Sequence, residues 1–340
     1  MTNVGSYVLR GFLEGPRLKR LQYLRRIFVA YLTRRTSHLT FWHEVPEINT
    51  RFRPNELGEY YMTFFSKADY PGEYDGKGVP LLNYHGKIGL QYNPIAIAQY
   101  SLGNFNLYRL TRDSNRLQSF LGVAEWLVTN LERNTKGIWV WNHNFDFEYR
   151  TPLKAPWYSA LAQGQGISVL VRAYQETNCP SYLETATRAF ESFKIGVDQG
   201  GVTYVDENGN TWFEEYIVNP PTHILNGFIW AVWGVYDYFL ATGSTVAEKL
   251  FGQAIQTLAA NLSHYDVGFW SLYEQSNTRL KMLASPFYHN LHIVQLRILY
   301  RLTGEGIFRR YAEKWEEYRQ STLKRTAALF YKVIFKLCYY

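Results

Sequence analysis

The sequence predicts an all-α protein, an incomplete (α/α) toroid of about four helix pairs with short β-hairpin insertions on one rim. Three observations predict it. Apolar residues recur at helical spacing in eight stretches. The stretches come in pairs that repeat about every 65 residues. Between the pairs lie short segments that combine Gly with alternating aromatic residues. Each repeat covers the apolar face of its neighbour, which is how a repeat architecture builds a continuous core.

The stretch Leu117, Phe120, Leu121, Ala124, Leu127, Val128, Leu131 shows the helical spacing most clearly, with a single apolar stripe. Similar stripes predict helices over 94–110, 158–176, 181–195, 222–241, 245–263, 290–303 and 306–335. The first helices of the pairs begin near Pro94, Trp157, Thr222 and His289, at intervals of 63, 65 and 67 residues. The intervening segments 86–92, 137–141, 201–204 and 268–273 read as hairpins, and Glu207-Asn208-Gly209-Asn210 is a strong turn signal. Connections then alternate between two rims, so the hairpins and the starts of all four first helices fall on one rim. Residues 78–318 form the toroid domain. Residues 1–77 form a basic helical segment with a small irregular or β region, and 319–340 a basic C-terminal helix.

Composition narrows the class. Hydrophobic residues make up 46% and charged residues 19%, which a folded globular chain requires. The 28 Tyr, 21 Phe and 10 Trp exceed what a core needs and point weakly to stacking on sugars or bases. Residues 1–35 and 319–340 together hold thirteen basic residues and one acidic one; the body between holds 23 basic and 28 acidic. A slightly acidic body argues against a nucleic-acid partner. The basic ends interleave with apolar residues such as Leu24, Phe28, Phe330 and Ile334. Two readings fit: helices lying on an anionic membrane surface, or terminal helices packed on the body with solvated basic faces. Cys179 and Cys338 make no disulfide framework. The longest apolar run near the N-terminus, 27–32, is too short for a secretory signal, so the expectation is a cytoplasmic, optionally membrane-peripheral protein.

The four helix starts carry residues that plain loops do not require. The first has Tyr92-Asn93-Pro94 with Gln99 beyond; the second has Trp157-Tyr158 with Gln163 and Gln165. The third has Glu214-Glu215-Tyr216 and Asn226; the fourth has Tyr288-His289 with His292 and Gln295. Helix N-termini add N–H groups that favour a bound carboxylate. Stacking rings, amides, an acid and phenols on one rim make a site for an acidic sugar polymer, an anionic polysaccharide. His289 and His292 have i, i+3 spacing but no third ligand at a telling distance, so no metal site is assigned. Gly164 and Gly166 follow no strand and read as points of close helix approach rather than a phosphate loop.

These residues carry a resemblance. Pro156-Trp157-Tyr158-Ser159-Ala160-Leu161-Ala162-Gln163-Gly164-Gln165-Gly166 resembles a signature of the heparosan glucuronyl C5-epimerases. So do Tyr92-Asn93-Pro94, Glu214-Glu215-Tyr216 with Asn226-Gly227-Phe228, and Tyr288-His289 with His292, Ile293 and Gln295. The matches are collinear and span about 78–318, the helical C-terminal domain of that family. The resemblance implies inversion at carbon 5 of D-glucuronate to L-iduronate within a polymer, without a cofactor or metal, by a protein that pairs as a homodimer. By position it assigns Glu215, Tyr216, Tyr273 and Tyr288 as catalytic. Glu215 and Tyr216 serve one face of the ring and Tyr288 the other, with Tyr273 supporting the carboxylate or relaying a proton. Tyr92, Gln99, Trp157, Gln163, Gln165, Asn226, His289, His292 and Arg279 are the expected substrate-binding residues.

The chemistry explains that choice. The proton at carbon 5 is acidified only by the neighbouring carboxylate, whose charge must be neutralised as the enolate forms. Inversion needs proton donors and acceptors on opposite faces. Two positions depart from the family pattern: Phe287 stands where an Asp is expected, and Glu274-Gln275-Ser276 where an Arg is expected. Arg279, Lys281 and Arg150 are the cations left to fill that role. A polysaccharide lyase would begin with the same proton abstraction, and an inactive polysaccharide-binding relative would keep the same aromatic rim. A hydrolase is disfavoured, because it needs two carboxylates across the cleft and Glu214 and Glu215 are neighbours in sequence.

Overall fold

A computed structural model describes residues 45–84 and 86–339. The basic N-terminal segment expected over 1–35 lies outside them. The described chain opens with a short helix, α1 (Phe65–Ala68), and a three-stranded antiparallel sheet of β1 (Glu73–Tyr74), β2 (Pro80–Asn83) and β3 (Leu90–Gln91). Four helix pairs follow: α2 (Pro94–Thr111) with α3 (Ser114–Thr129), α4 (Ala160–Thr177) with α5 (Pro180–Phe190), α6 (Leu225–Thr242) with α7 (Thr245–Asn261), and α8 (Pro286–Thr303) with α9 (Gly306–Gln320). The first helices start at intervals of 66, 65 and 61 residues, close to the expected repeat. Two-stranded hairpins β4 (Glu132–Arg133)–β5 (Trp139–Val140) and β6 (Thr203–Val205)–β7 (Thr211–Phe213) separate the pairs.

Sequence chemistry sets the helix ends. Asn93 accepts from the Ile95 and Ala96 N–H groups with Pro94 in the first position, Ser159 accepts from Ala162 N, and Ser285 accepts from Tyr288 N. Arg112, Asn178, Gly243 and Gly304 close helices in the left-handed conformation. The stripe 306–335 was expected as one helix but is two, because Ser321 is extended and its hydroxyl accepts from Lys324 N to start α10 (Thr322–Tyr339). The helix expected near His289 starts three residues earlier, at Pro286. The segment 268–273 forms a turn at Gly268 with bridges Asp266–Ser271 and Leu272–Leu283 instead of a hairpin.

α2, α4, α6 and α8 form the inner row, each packed on the next, while their partners lie outside. α2 and α8 do not pack on each other in the same way, so the ring is incomplete. α4 and α6 approach most closely: a Cβ on Gly164 would meet the Ala231 Cα at 2.7 Å, and one on Gly234 would meet the Gly164 carbonyl oxygen at 2.2 Å. Beneath this contact Arg172 and Asp237 form a buried two-pronged ion pair at 2.7 and 3.0 Å. Tyr61 donates to the same carboxylate at 2.6 Å, and Arg172 Nε donates to the Gly58 carbonyl at 2.8 Å. The segment before α1 is thereby tied to the core.

α10 packs Ala328, Leu329 and Phe335 on the body, and Lys332 Nζ donates to the Leu283 carbonyl at 2.6 Å. Leu323, Phe330, Ile334 and Leu337 lie exposed on its other side. Among the described residues no helix is long and apolar enough to cross a membrane.

Candidate active site

The third and fourth helix starts and the segment after β5 converge. Tyr216, Ile224, Tyr273 and Ala284 form one buried cluster with Phe145, Tyr149, Leu153 and Trp157, and Tyr288, Tyr84 and Met282 pack against it. The four residues assigned to catalysis therefore meet. Glu215, Tyr216 and Tyr273 are 4, 7 and 8% exposed, whereas Tyr288 is half-buried.

The four groups fall into two neighbouring pairs, Glu215 with Tyr216 and Tyr273 with Tyr288. The Tyr273 and Tyr288 rings meet edge to face at 4.8 Å. Glu215 lies over the start of α6, where a Cβ on Gly227 would meet its Oε2 at 2.0 Å. Only glycine leaves room for the carboxylate there. α6 has no side-chain cap at Ile224, and Asn226 Nδ2 stands 3.5 Å from Glu215 Oε2.

Electrostatics fix the resting protonation. Burial pushes the Glu215 carboxyl up to about 8, and Glu214 and Glu274 nearby push the same way while the Tyr216 hydroxyl opposes them. Burial raises all three phenols, with the Glu215 charge adding to the effect. The tyrosines therefore rest as proton donors. Glu214 takes a different role: its Oε1 meets His223 Nδ1 at 2.5 Å and its Oε2 accepts from His223 N at 3.2 Å.

The expected substrate-binding residues divide. Trp157 joins the cluster, stacked on His143 at 3.8 Å and edge-on to Tyr216 at 5.7 Å. Asn226 sits beside Glu215, and its carbonyl accepts from Gln295 Nε2 at 3.0 Å. Gln99 donates to Gln165 at 3.1 Å between α2 and α4, both buried. Gln163 is taken up by packing: its Oε1 accepts from Trp141 N, and its Nε2 donates to the Trp139 and Ala189 carbonyls and Ser192. His289 and His292 share Ser271 Oγ at 2.7 and 3.1 Å, with His289 stacked on Trp270 and hydrogen-bonded to the Trp315 carbonyl. Burial lowers His289 to about 3 and His292 well below its usual range, so both are neutral spacers between α8, α9 and the turn. Tyr92 is exposed and donates to Asp75, and Arg279 is exposed. Among the described residues no group of three His, Cys, Asp or Glu is placed to hold a metal ion.

Sequence reading missed the strap over the cluster. Residues 143–157 fold back through bridges His143–Trp157 and Phe147–Leu153 and lay Phe145, Phe147 and Tyr149 on the site. At its tip Tyr149 donates to Glu274, and Arg150 pairs with Glu274 at 2.7 Å and with Ser276 Oγ at 3.0 Å. A signal existed: Trp139, Trp141, His143, Phe145, Phe147 and Tyr149 alternate without a break.

The protein is a helical ring whose third and fourth helix starts bring a cluster of proton-bearing side chains together. The model of the D-glucuronyl C5-epimerase C-terminus matches residues 133–317, more than half of the chain, and the protein belongs to that family. A D-glucuronyl C5-epimerase of Caenorhabditis elegans is 31% identical over 223 residues, which is 61% of this chain and 36% of that protein. The chain thus spans about a third of that relative. An uncharacterized protein of Methanocaldococcus jannaschii is 28% identical over 320 residues, covering 88% of this chain and 99% of its own. Among solved structures, the cellobiose 2-epimerase of Spirochaeta thermophila aligns with a TM-score of 0.49 and 12% identity over 87% of this chain and 71% of its own.

Proposed function

We propose that the protein inverts carbon 5 of D-glucuronate units within a polysaccharide to give L-iduronate. The observation that carries this reading is the convergence of Glu215, Tyr216, Tyr273 and Tyr288 as two neighbouring pairs in one cluster. Epimerisation removes a proton from one face of the ring and returns one to the other, so it needs two proton-handling groups and no net oxidation. Glu215 with Tyr216 serves one face and Tyr288 the other, while Tyr273, edge to face with Tyr288, relays or steadies its proton. The carbon 5 proton passes to Glu215 in its ionised form, its bonding electrons move into the substrate carboxylate to form an enolate, and donors already in place stabilise that charge without reorganisation. Reprotonation from the opposite side restores the carboxylate with inverted configuration.

Burial of Glu215, Tyr216 and Tyr273 supports the same reading, because it strengthens their electrostatic action on a charge formed beside them. The family membership supports uronate as the unit acted on. Glucuronate polymer incubated with the protein and then degraded should yield iduronate. An unsaturated uronate absorbing in the ultraviolet would instead mark elimination by a lyase, and unchanged polymer would mark a binding protein.

A further inference from the structure

The carboxylate that acidifies carbon 5 must be met by a cation or strong donors, and the cluster itself is short of positive charge. Glu214, Glu215 and Glu274 are all buried around it. His223 is committed to Glu214. Among the described residues the cations beside cluster members in sequence are Lys87, Arg150, Lys154, Arg279 and Lys281. Lys87, Lys154, Arg279 and Lys281 are exposed; Lys154 Nζ pairs with Asp146 at 2.6 Å, and Lys281 Nζ donates to the Ser276 carbonyl at 2.9 Å. Arg150 differs from all four. It follows Tyr149, whose ring lies 4.7 Å from the Tyr216 ring, and its guanidinium is fixed at two points by Glu274 and Ser276.

We propose that Arg150 binds the carboxylate of the uronate unit, with Glu274 and Ser276 as positioning residues that set the plane of its guanidinium. The proposal rests on reading the cluster as a uronate site. A guanidinium has five N–H donors, and these two contacts leave donors for a second carboxylate. The side chain is 24% exposed whereas its partner Glu274 is fully buried, so the open side of the guanidinium is the side away from Glu274. Because Arg150 sits at the tip of the strap, recognition and closure are one event. The strap must lift for a polymer to reach Tyr216 and Tyr273. When it settles, Tyr149 returns against Tyr216 and Arg150 against the substrate anion. Glu274 gives the tip the same landing point each time.

The test compares two ligands on the full chain by calorimetry: an unsulfated glucuronate-containing hexasaccharide and the same oligosaccharide with its carboxyls reduced to alcohols. The parent should bind the acidic ligand about tenfold or more tightly than the reduced one, the effect expected of a hydrogen-bonded charge pair. Arg150→Met should bring that ratio to within about twofold of unity. Since Arg150→Met leaves Glu274 buried and unpaired, the double variant Arg150→Met/Glu274→Gln removes both charges and must give the same collapse. Persistence of the parent ratio in the double variant would overturn the proposal. So would a parent that binds both ligands alike, or neither. Discrimination by the parent without any change at carbon 5 would sink the epimerase reading and leave the assignment of Arg150 standing.

Discussion

Glu215→Gln tests the electrostatics of the site through stability. The parent carboxyl is buried and sits at about 8, against 4.5 for an ordinary glutamate. The folded state therefore holds a proton that the unfolded chain has released anywhere between those values. Each unit is worth 1.36 kcal/mol, so the parent loses up to about 5 kcal/mol of stability as pH climbs through that window. The N-terminus of α6 beneath the carboxylate offsets about 1 kcal/mol of this, leaving about 4 kcal/mol. Glutamine keeps the shape and carries no titrating proton. Urea denaturation of parent and variant at intervals from about pH 5 to about pH 9 should show the parent falling relative to Glu215→Gln by about 3 kcal/mol, with the loss levelling above pH 8. Parallel stability curves across that range would refute the reasoning, because they would mean that Glu215 ionises in the fold as easily as in the unfolded chain.

Three other outcomes are expected. Tyr288→Phe removes only the phenolic hydroxyl and should lower epimerisation by about 10²- to 10⁴-fold with an unchanged circular dichroism spectrum; activity within a few-fold of the parent would remove Tyr288 from the mechanism. Asp237→Asn strips the partner from buried Arg172 and should cost about 3–5 kcal/mol in urea unfolding, far more than an exposed pair would, and a loss below 1 kcal/mol would contradict the placement of that pair. The exposed stripe Leu323, Phe330, Ile334 and Leu337 on α10 should carry the protein down with anionic vesicles at low salt and release it at high salt, and a supernatant that keeps all the protein at low salt would end that idea.

Much of the fold was legible because its signals are local. Helical periodicity, Asn93, Ser159 and Ser285 as N-caps, and the recurrence near 65 residues each need only a short window of sequence. Gly164 was readable as a contact point since no strand precedes it, and the α4–α6 approach bears that out. Collinear motifs brought the four proposed catalytic residues to one place. What sequence did not supply is pairing at long range. Arg150 meets Glu274 across more than a hundred residues, and no local pattern announces an ion pair whose partners lie on different irregular segments. The histidines mislead for a related reason. Tyr288 and His289 are adjacent, yet one helical step turns Tyr288 toward Tyr273 and His289 into the packing against Trp270 and Trp315. Adjacency to a catalytic residue on a helix says little about facing the same way.

The central claim is proton exchange at carbon 5, and solvent deuterium reads it directly. Unsulfated glucuronate polymer should be incubated with the protein in deuterated water and followed by NMR. Loss of the carbon 5 proton signal, with deuterium entering both glucuronate and newly formed iduronate and the chain length unchanged, is the predicted result. Retention of the carbon 5 proton in every uronate unit would contradict the account, and label lost together with chain cleavage would replace epimerisation by elimination.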